Sequence, residues 1–275
     1  NGYLPFPRQT GAASAYWVGE AATITTSEQT TGRLEMRAKK LAARMRLPNE
    51  LLRFGTPSVE AFARADLARV LALKADRTFL DAVGSTTTPK GLINYSGIET
   101  YTAGTAGTNG NTLDPSDPAG MLAEIEENDY DLEMERFCWM MRPKMWKNIR
   151  TRRAGVYNGS SIDEGAGEWL FDINRADIRN GAPAMLEGWP VLKSSQIANT
   201  RTKGSSSDLT YILGGIFAHF LIGRVGVMEF ATSAQGDTDF STDQTSLRVI
   251  QHMDGQPRYE NAFVVCDSID MDLPA

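Results

Sequence analysis

The chain has 275 residues and a formal net charge of −6 at pH 7, with 41% hydrophobic and 23% charged residues. An acidic protein repels a phosphate backbone, so this balance argues against tight, direct nucleic-acid binding. No stretch approaches the ~18 consecutive apolar residues of a membrane helix, and no signal-peptide layout opens the chain. A chain of this length is expected to form one or two compact regions.

The segment Tyr16–Leu47 is predicted to form a long β-hairpin. Apolar Leu34 and Met36 alternate with charged neighbours, and a period of two is typical of strands with one covered face. The Thr-rich tip near Gly19 and Gly32 has few apolar residues to bury. Because a lone hairpin is marginal in water, it is expected to need a partner surface.

A long amphipathic helix is predicted next. Thr56 fits the N-cap, Pro57 fits the first helical position, and Gly84 marks the end after about seven turns. Its predicted core positions are apolar, and they are Val59, Phe62, Leu67, Val70, Leu71, Phe79 and Val83.

The rest of the chain mixes short helices and strands without regular alternation, which indicates an α+β fold. The predicted helices are Pro118–Glu127 and Pro143–Arg152. The predicted strands are Phe137–Met141, Leu209–Leu213, Val225–Ala231, Leu247–Gln251 and Phe263–Asp267.

The residues that usually carry catalysis are sparse. His219 and His252 are the two histidines, and neither lies beside a candidate nucleophile or at metal-ligand spacing. Cys138 and Cys266 sit in apolar runs and are predicted to be buried thiols of a protein made in a reducing compartment. The chain is therefore not expected to be an enzyme, to need a cofactor or to hold a metal.

One acidic stretch has some likeness to a calcium loop. However, it carries Thr242 where glycine is required and Arg248 where glutamate is required. A solvated acidic loop is the preferred interpretation of its oxygen-bearing side chains, which are Asp237, Asp239, Ser241 and Asp243.

Two basic clusters stand out in this acidic protein, and both are richer in arginine than in lysine. They could be exposed faces, or they could meet acidic patches on neighbouring copies, where the planar guanidinium pairs well with carboxylates. The first contains Arg33, Arg37, Lys39, Lys40, Arg44 and Arg46, and the second contains Arg142, Lys144, Lys147, Arg150, Arg152 and Arg153.

An ordered set of short motifs resembles the major capsid protein of tailed bacteriophages. The set runs over nearly the whole chain, with the amphipathic helix in its middle. The motifs are Pro7-Arg-Gln-Thr10, Ala15-Tyr-Trp-Val-Gly-Glu20, Lys39-Lys-Leu-Ala42, Thr88-Pro-Lys-Gly-Leu92, Gly188-Trp-Pro-Val191, Phe220-Leu-Ile-Gly223 and Val227-Met-Glu-Phe230.

The resemblance implies the α+β fold first seen in the Hong Kong 97 phage shell. Its parts would be a short N-terminal segment at 1–15, an E-loop at 16–47, a P-domain with a spine helix at 48–110, an A-domain at 111–235 and P-domain return strands at 236–275.

The resemblance also implies a function. The chain would be a structural subunit that forms the hexamers and pentamers of an icosahedral virion shell, assembled in the host bacterial cytoplasm. Double-stranded DNA would be held inside by loose contact, a decoration or scaffolding protein is a possible partner, and no membrane is involved. The subunit interface is expected to include Trp17 and Glu20 together with Arg33, Arg37, Lys39, Lys40, Arg44 and Arg46 of the first basic cluster.

Alternatives in the same fold are an encapsulin nanocompartment and a gene transfer agent shell. A hydrolase with an unrecognised carboxylate pair is the alternative from another class.

Two departures from the family pattern carry expectations of their own. Only Asn1–Phe6 precede the first motif, so an N-terminal arm is expected to be missing or very short. Some relatives join subunits by an isopeptide bond from an E-loop lysine, but no lysine lies between Gly19 and Gly32. We therefore expect a shell without covalent links between subunits.

Overall fold

A computed structural model describes residues 3–55, 59–153, 156–157, 162–163, 168–171, 173–174, 178 and 182–271. The strands are β1 (Tyr3–Gly11), β2 (Thr30–Arg37), β3 (Lys39–Pro48), β4 (Glu99–Tyr101), β5 (Thr105–Gly107), β6 (Gly110–Thr112), β7 (Cys138–Met141), β8 (Val156–Tyr157), β9 (Ile162–Asp163), β10 (Met185–Leu186), β11 (Trp189–Lys193), β12 (Arg201–Lys203), β13 (Ser206–Gly215), β14 (Phe220–Ser233), β15 (Gln244–Pro257) and β16 (Phe263–Ile269). The helices are α1 (Asn49–Phe54), α2 (Val59–Asp81), α3 (Asp117–Glu126), α4 (Leu132–Glu135), α5 (Pro143–Thr151) and α6 (Asp237–Ser241).

The chain divides into two compact units. The first unit comprises Asn1–Leu71 and Leu221–Arg258, and the second comprises Ala72–Phe220 and Tyr259–Ala275. Strand β16 pairs with β13 and β4 of the second unit.

The predicted hairpin was wrong in its bounds. Its strands are β1 and β2, paired antiparallel from Tyr3 opposite Arg37, whereas β3 pairs with β15 in another sheet. The sequence hid β1 because Pro5 and Pro7 interrupt it, and proline is tolerated only at sheet edges.

In the first unit, the part of α2 up to Leu71 has one buried face against the sheet ordered β14-β15-β3. The helix prediction was confirmed in position and length over Val59–Asp81, while Thr56 and Pro57 lie outside the described residues. Ala63, Leu67 and Leu71 are buried with Leu247 and Val249 of β15.

Part of the predicted helix core was wrong. Phe62 is 77% exposed, and Val70 and Val83 are exposed as well. Besides Leu80, the buried residues of the helix occupy five positions that repeat every fourth residue, two of them alanines absent from the predicted core. These positions are Ala63, Leu67, Leu71, Ala75 and Phe79.

The second unit is built on a sheet whose described strands run in the order β10-β11-β7-β13-β16-β6-β5, with β12 on β13 and β4 on β16. The predicted helices here are confirmed as α3 and α5, and the predicted strands as β7, β13 and β16. Phe137 and Trp139 pack edge to face with ring centroids 4.8 Å apart. The indole N–H of fully buried Trp139 donates to the Leu186 carbonyl at 3.0 Å, so the large core residue leaves no polar atom unpaired.

Candidate assembly surfaces

The tip of the hairpin, which we define as residues 12–29, exposes large apolar side chains. Trp17 is fully exposed, and Ile24 and Tyr16 are also exposed. Its internal bonds are few and polar, such as the Ser14 amide donating to Ser27 Oγ at 3.1 Å. Exposed apolar area of this kind gains free energy when a partner covers it.

The base of the hairpin is fastened within the first unit. Met36 is buried, and the Arg37 amide donates to Asp254 Oδ2 at 2.8 Å. Gln256 Nε2 donates to the Glu35 carbonyl at 3.1 Å. The hairpin therefore has a fixed base and a tip with few contacts.

Two arginines of the first basic cluster share one carboxylate inside the chain. Arg44 Nη2 lies 3.0 Å from Asp239 Oδ2, and Arg46 Nε lies 2.9 Å from Asp239 Oδ1. Ser246 Oγ donates to the same carboxylate. The Ser246 hydrogen bond, opposed by burial and aided by Arg44 and Arg46, holds the pKa of Asp239 below its usual range.

This arrangement corrects the prediction of a solvated acidic loop at Asp239. The residue sits in α6 with its carboxylate buried, so an ion-pair cluster replaces the open loop. Sequence reasoning missed it because the partners come from β3 and β15. The antiparallel register, with Arg46 opposite Ser246, is the signal that brings them together.

The other members of the first basic cluster are more open. Arg33 and Arg37 flank Glu35 at 3.9 and 3.8 Å in exposed pairs, and such pairs contribute little to stability. Lys40 is exposed on β3, and Glu20 is exposed at the hairpin tip. Lys39 is half-buried. These cations and Glu20 leave charge on the surface of the first unit.

Further apolar residues of the first unit are exposed beyond the hairpin. Helix α1 buries none of its residues, and its Phe54 is 83% exposed. The other exposed large apolar side chains outside the tip are Leu51, Phe62, Val70, Ile222, Val225, Val227 and Phe240. These positions carry apolar surface on several elements of the unit.

The histidine and cysteine residues have structural surroundings. His219 Nε2 lies 2.9 Å from Glu135 Oε2, and its ring contacts Tyr130 and Tyr259. Cys138 is partly buried and Cys266 is buried, and both are free thiols. Burial raises the pKa of Cys138 to about 11 and that of Cys266 to about 12, so neither forms a reactive thiolate near neutral pH.

Within the described part of the chain, no group of three or more histidine, cysteine, aspartate or glutamate side chains is placed to hold a metal ion. The helices there are also too short or too polar to span a membrane. The exposed apolar and charged residues of the first unit are the features suited to protein contact.

Comparisons with known proteins agree with this emphasis. A family model described as the phage capsid family matches residues 1–268. The chain is 24% identical over 279 residues to the major capsid protein of Klebsiella oxytoca phage phiKO2, with 96% of this chain aligned, and it spans 60% of that relative's length.

Solved structures are similar over nearly the whole chain. The capsid of a native GTA particle has a TM-score of 0.70 at 14% identity, covering 98% of this chain and 86% of that chain. Microbacterium phage Oxtober96 gives 0.71 at 14% identity, with 98% and 87% covered. The predicted α+β fold of the Hong Kong 97 type is confirmed.

Proposed function

The chain belongs to the phage capsid family, and from that membership we propose that it is a major capsid protein whose copies close into an icosahedral shell. Pentamers and hexamers joined by head-to-tail contacts are the arrangement we propose, because heterologous interfaces of this kind can close into rings. The role is structural, as the family and the relative's name indicate.

The hairpin is the observation that carries this proposal. Its tip exposes Trp17, Tyr16 and Ile24 while its base is anchored by Met36. A two-stranded hairpin has no second layer on which to bury these residues, so a neighbouring copy is the natural partner.

We propose an interface that includes Trp17 and Glu20 of the tip with Arg33, Arg37, Lys39 and Lys40 along the hairpin and β3. Arg44 and Arg46 belong to it as well: they share the single charge of Asp239 within the chain, so one positive charge is left over, and their side chains are 54% and 41% exposed. Arginine and tryptophan are the residue types most often found at energetically dominant contact positions.

The family's domain names can be placed on the two units. We propose that the first unit supplies the E-loop, as the β1–β2 hairpin, and the P-domain, as the β14-β15-β3 sheet and the part of α2 up to Leu71 that packs on it. The second unit would then be the A-domain. The large sheet and dense core of the second unit support this assignment.

The contents and setting of the shell are also proposals. We propose that it encloses double-stranded DNA by loose contact, since the net charge of −6 disfavours tight binding. Assembly in the bacterial cytoplasm fits the two free thiols. A decoration or scaffolding protein is a further proposed partner.

A gene transfer agent shell is the second candidate, favoured by the structural likeness to the GTA capsid. The purified protein should be imaged by electron microscopy and any enclosed nucleic acid sized on a gel. Closed shells support the proposal, and phage-length DNA distinguishes a virion from a transfer agent. A monodisperse monomer at every concentration tested would contradict it.

A further inference from the structure

Two residues of the second basic cluster, Lys147 and Arg150, line a cavity in the second unit that shell formation does not explain. The cavity has a volume of about 460 Å³. Its wall contains two indoles, Trp146 and Trp169, and three cations, Lys147, Arg150 and Lys193. Cavities that hold small molecules commonly fall in this size range, roughly 300–1,000 Å³.

One face of α5 builds most of the wall. Its lining positions are Pro143, Trp146, Lys147, Arg150 and Thr151, a spacing of three and four that places them side by side on a helix. Met145 and Ile149 point into the core and fix the helix. The cationic positions are therefore held by a rigid element.

The other two wall residues come from separate parts of the unit. Lys193 ends β11, whose parallel pairing with β7 places it opposite Met141, just before α5. The Arg153 guanidinium stacks over the Trp169 ring, with its Cζ atom 3.8 Å from the ring centroid. This stack fixes the indole while leaving it 42% exposed.

Two other arginines of the second basic cluster donate hydrogen bonds to backbone carbonyl groups of the second unit. Arg142 donates to the Ser195 carbonyl at 3.0 Å, and Arg152 donates to the Leu113 carbonyl. By contrast, Lys147 and Lys193 form no ion pair with any residue that the structure describes. Lys147 and Lys193 therefore bring to the cavity positive charge that no described residue pairs with.

We propose that this cavity, which we call the indole pocket, binds a single unpaired nucleotide. Its phosphate would lie among Lys147, Arg150 and Lys193, and its base would stack against Trp169. Cations that hold the backbone beside an aromatic ring that holds the base are the combination by which proteins take up unpaired nucleotides. An acidic peptide would use the cations but would not need the indole face.

Calorimetric titration of the purified chain with deoxyadenosine monophosphate tests the proposal. Binding should be saturable and should weaken as salt is raised. Lys147→Glu and Lys193→Glu should each lower the affinity about tenfold, and Trp169→Leu by at least about fivefold. Lys74→Glu, the same charge change at an exposed position on α2, should leave it within about twofold. Circular dichroism of each variant verifies folding. Because Lys147 lies on α5 and Lys193 on β11, a local distortion of one element would not explain a loss of affinity in both variants.

Comparison ligands separate the sources of the nucleotide. An eight-residue oligodeoxyadenylate that binds more tightly than the monophosphate indicates an exposed nucleic-acid strand, and equal affinity indicates a free nucleotide. Either result supports the pocket. Inorganic phosphate binding as tightly as the monophosphate, hexaglutamate binding more tightly, undetectable nucleotide binding, or an unchanged affinity in the folded lysine variants would overturn it.

Discussion

The two units differ in where their apolar residues go. The second unit gathers 31 described residues into one buried cluster, whereas the first has a buried cluster of five. The first unit instead exposes Trp17, Phe54, Phe62 and Val227. Because burial of apolar area is the main stabilising term, the second unit contains its own source of stability, and we propose that other copies cover the exposed apolar surface of the first.

The largest difference in stability is expected between two tryptophan substitutions, one in each unit. Trp139→Ala should lower the free energy of unfolding by about 4 kcal/mol, because it removes a fully buried ring from the second unit. Trp17→Ala should change it by less than about 0.5 kcal/mol, since its ring is fully exposed. Urea unfolding of dissociated subunits measures both changes.

In shell assembly, by contrast, the substitution of Trp17 should have a clear effect. Subunits with Trp17→Ala should fold normally but give fewer shells in a light-scattering assay, and Trp17→Phe should restore part of the yield. Normal assembly of the alanine variant would remove Trp17 from the interface.

A second contrast lies within α2. Phe79→Asp should cost about 3 kcal/mol, because Phe79 is buried and packs edge to face on Phe220. Phe62→Asp should cost under about 0.5 kcal/mol, because the ring is exposed. Thermal unfolding of the two variants measures this difference, and equal losses would show that Phe62 is covered within the subunit.

A smaller effect concerns acid stability of the first unit. The pKa of Asp239 is lowered in the fold, so its charged form contributes stability above the pKa of the unfolded chain, and this contribution is lost as pH falls through the lower folded pKa. Asp239→Asn should therefore be less stable at neutral pH and should lose less stability on acidification. Urea midpoints measured from neutral to acid pH test this.

Asp76→Asn is the control for that titration, because Asp76 is exposed on α2. Its stability should follow the unsubstituted protein across the pH range. Parallel curves for Asp239→Asn and the unsubstituted protein would show that the ion-pair cluster contributes nothing to acid stability.

The contrast between residues that pack within their own unit and residues that do not also explains which features could be predicted from the sequence. Elements such as α5 and β16 were predicted because their apolar residues follow the period of a core within the same unit. The role of Phe62 was not, because an apolar residue on a helix looks the same whether its partner is its own sheet or another chain. Likewise, the Asp239 cluster depends on strand register, which local patterns do not contain.

The residues that the sequence places at the interface also differ in the contacts that they make within the chain. Arg44 was placed in an interface because arginine on an acidic protein suggests an external partner, and the structure adds a contact with Asp239, 195 residues away in the same chain, that local patterns do not contain. The ring of Trp17, by contrast, is not covered by any residue of the described first unit.

Hydrogen exchange compared between dissociated subunits and assembled shells tests the central claim most directly. The account predicts that amides of residues 12–29 exchange fast in subunits and slowly in shells, while those of β7, β13 and β16 are protected in both. Equal protection of the hairpin tip in the two states would contradict the claim that neighbouring copies complete the first unit.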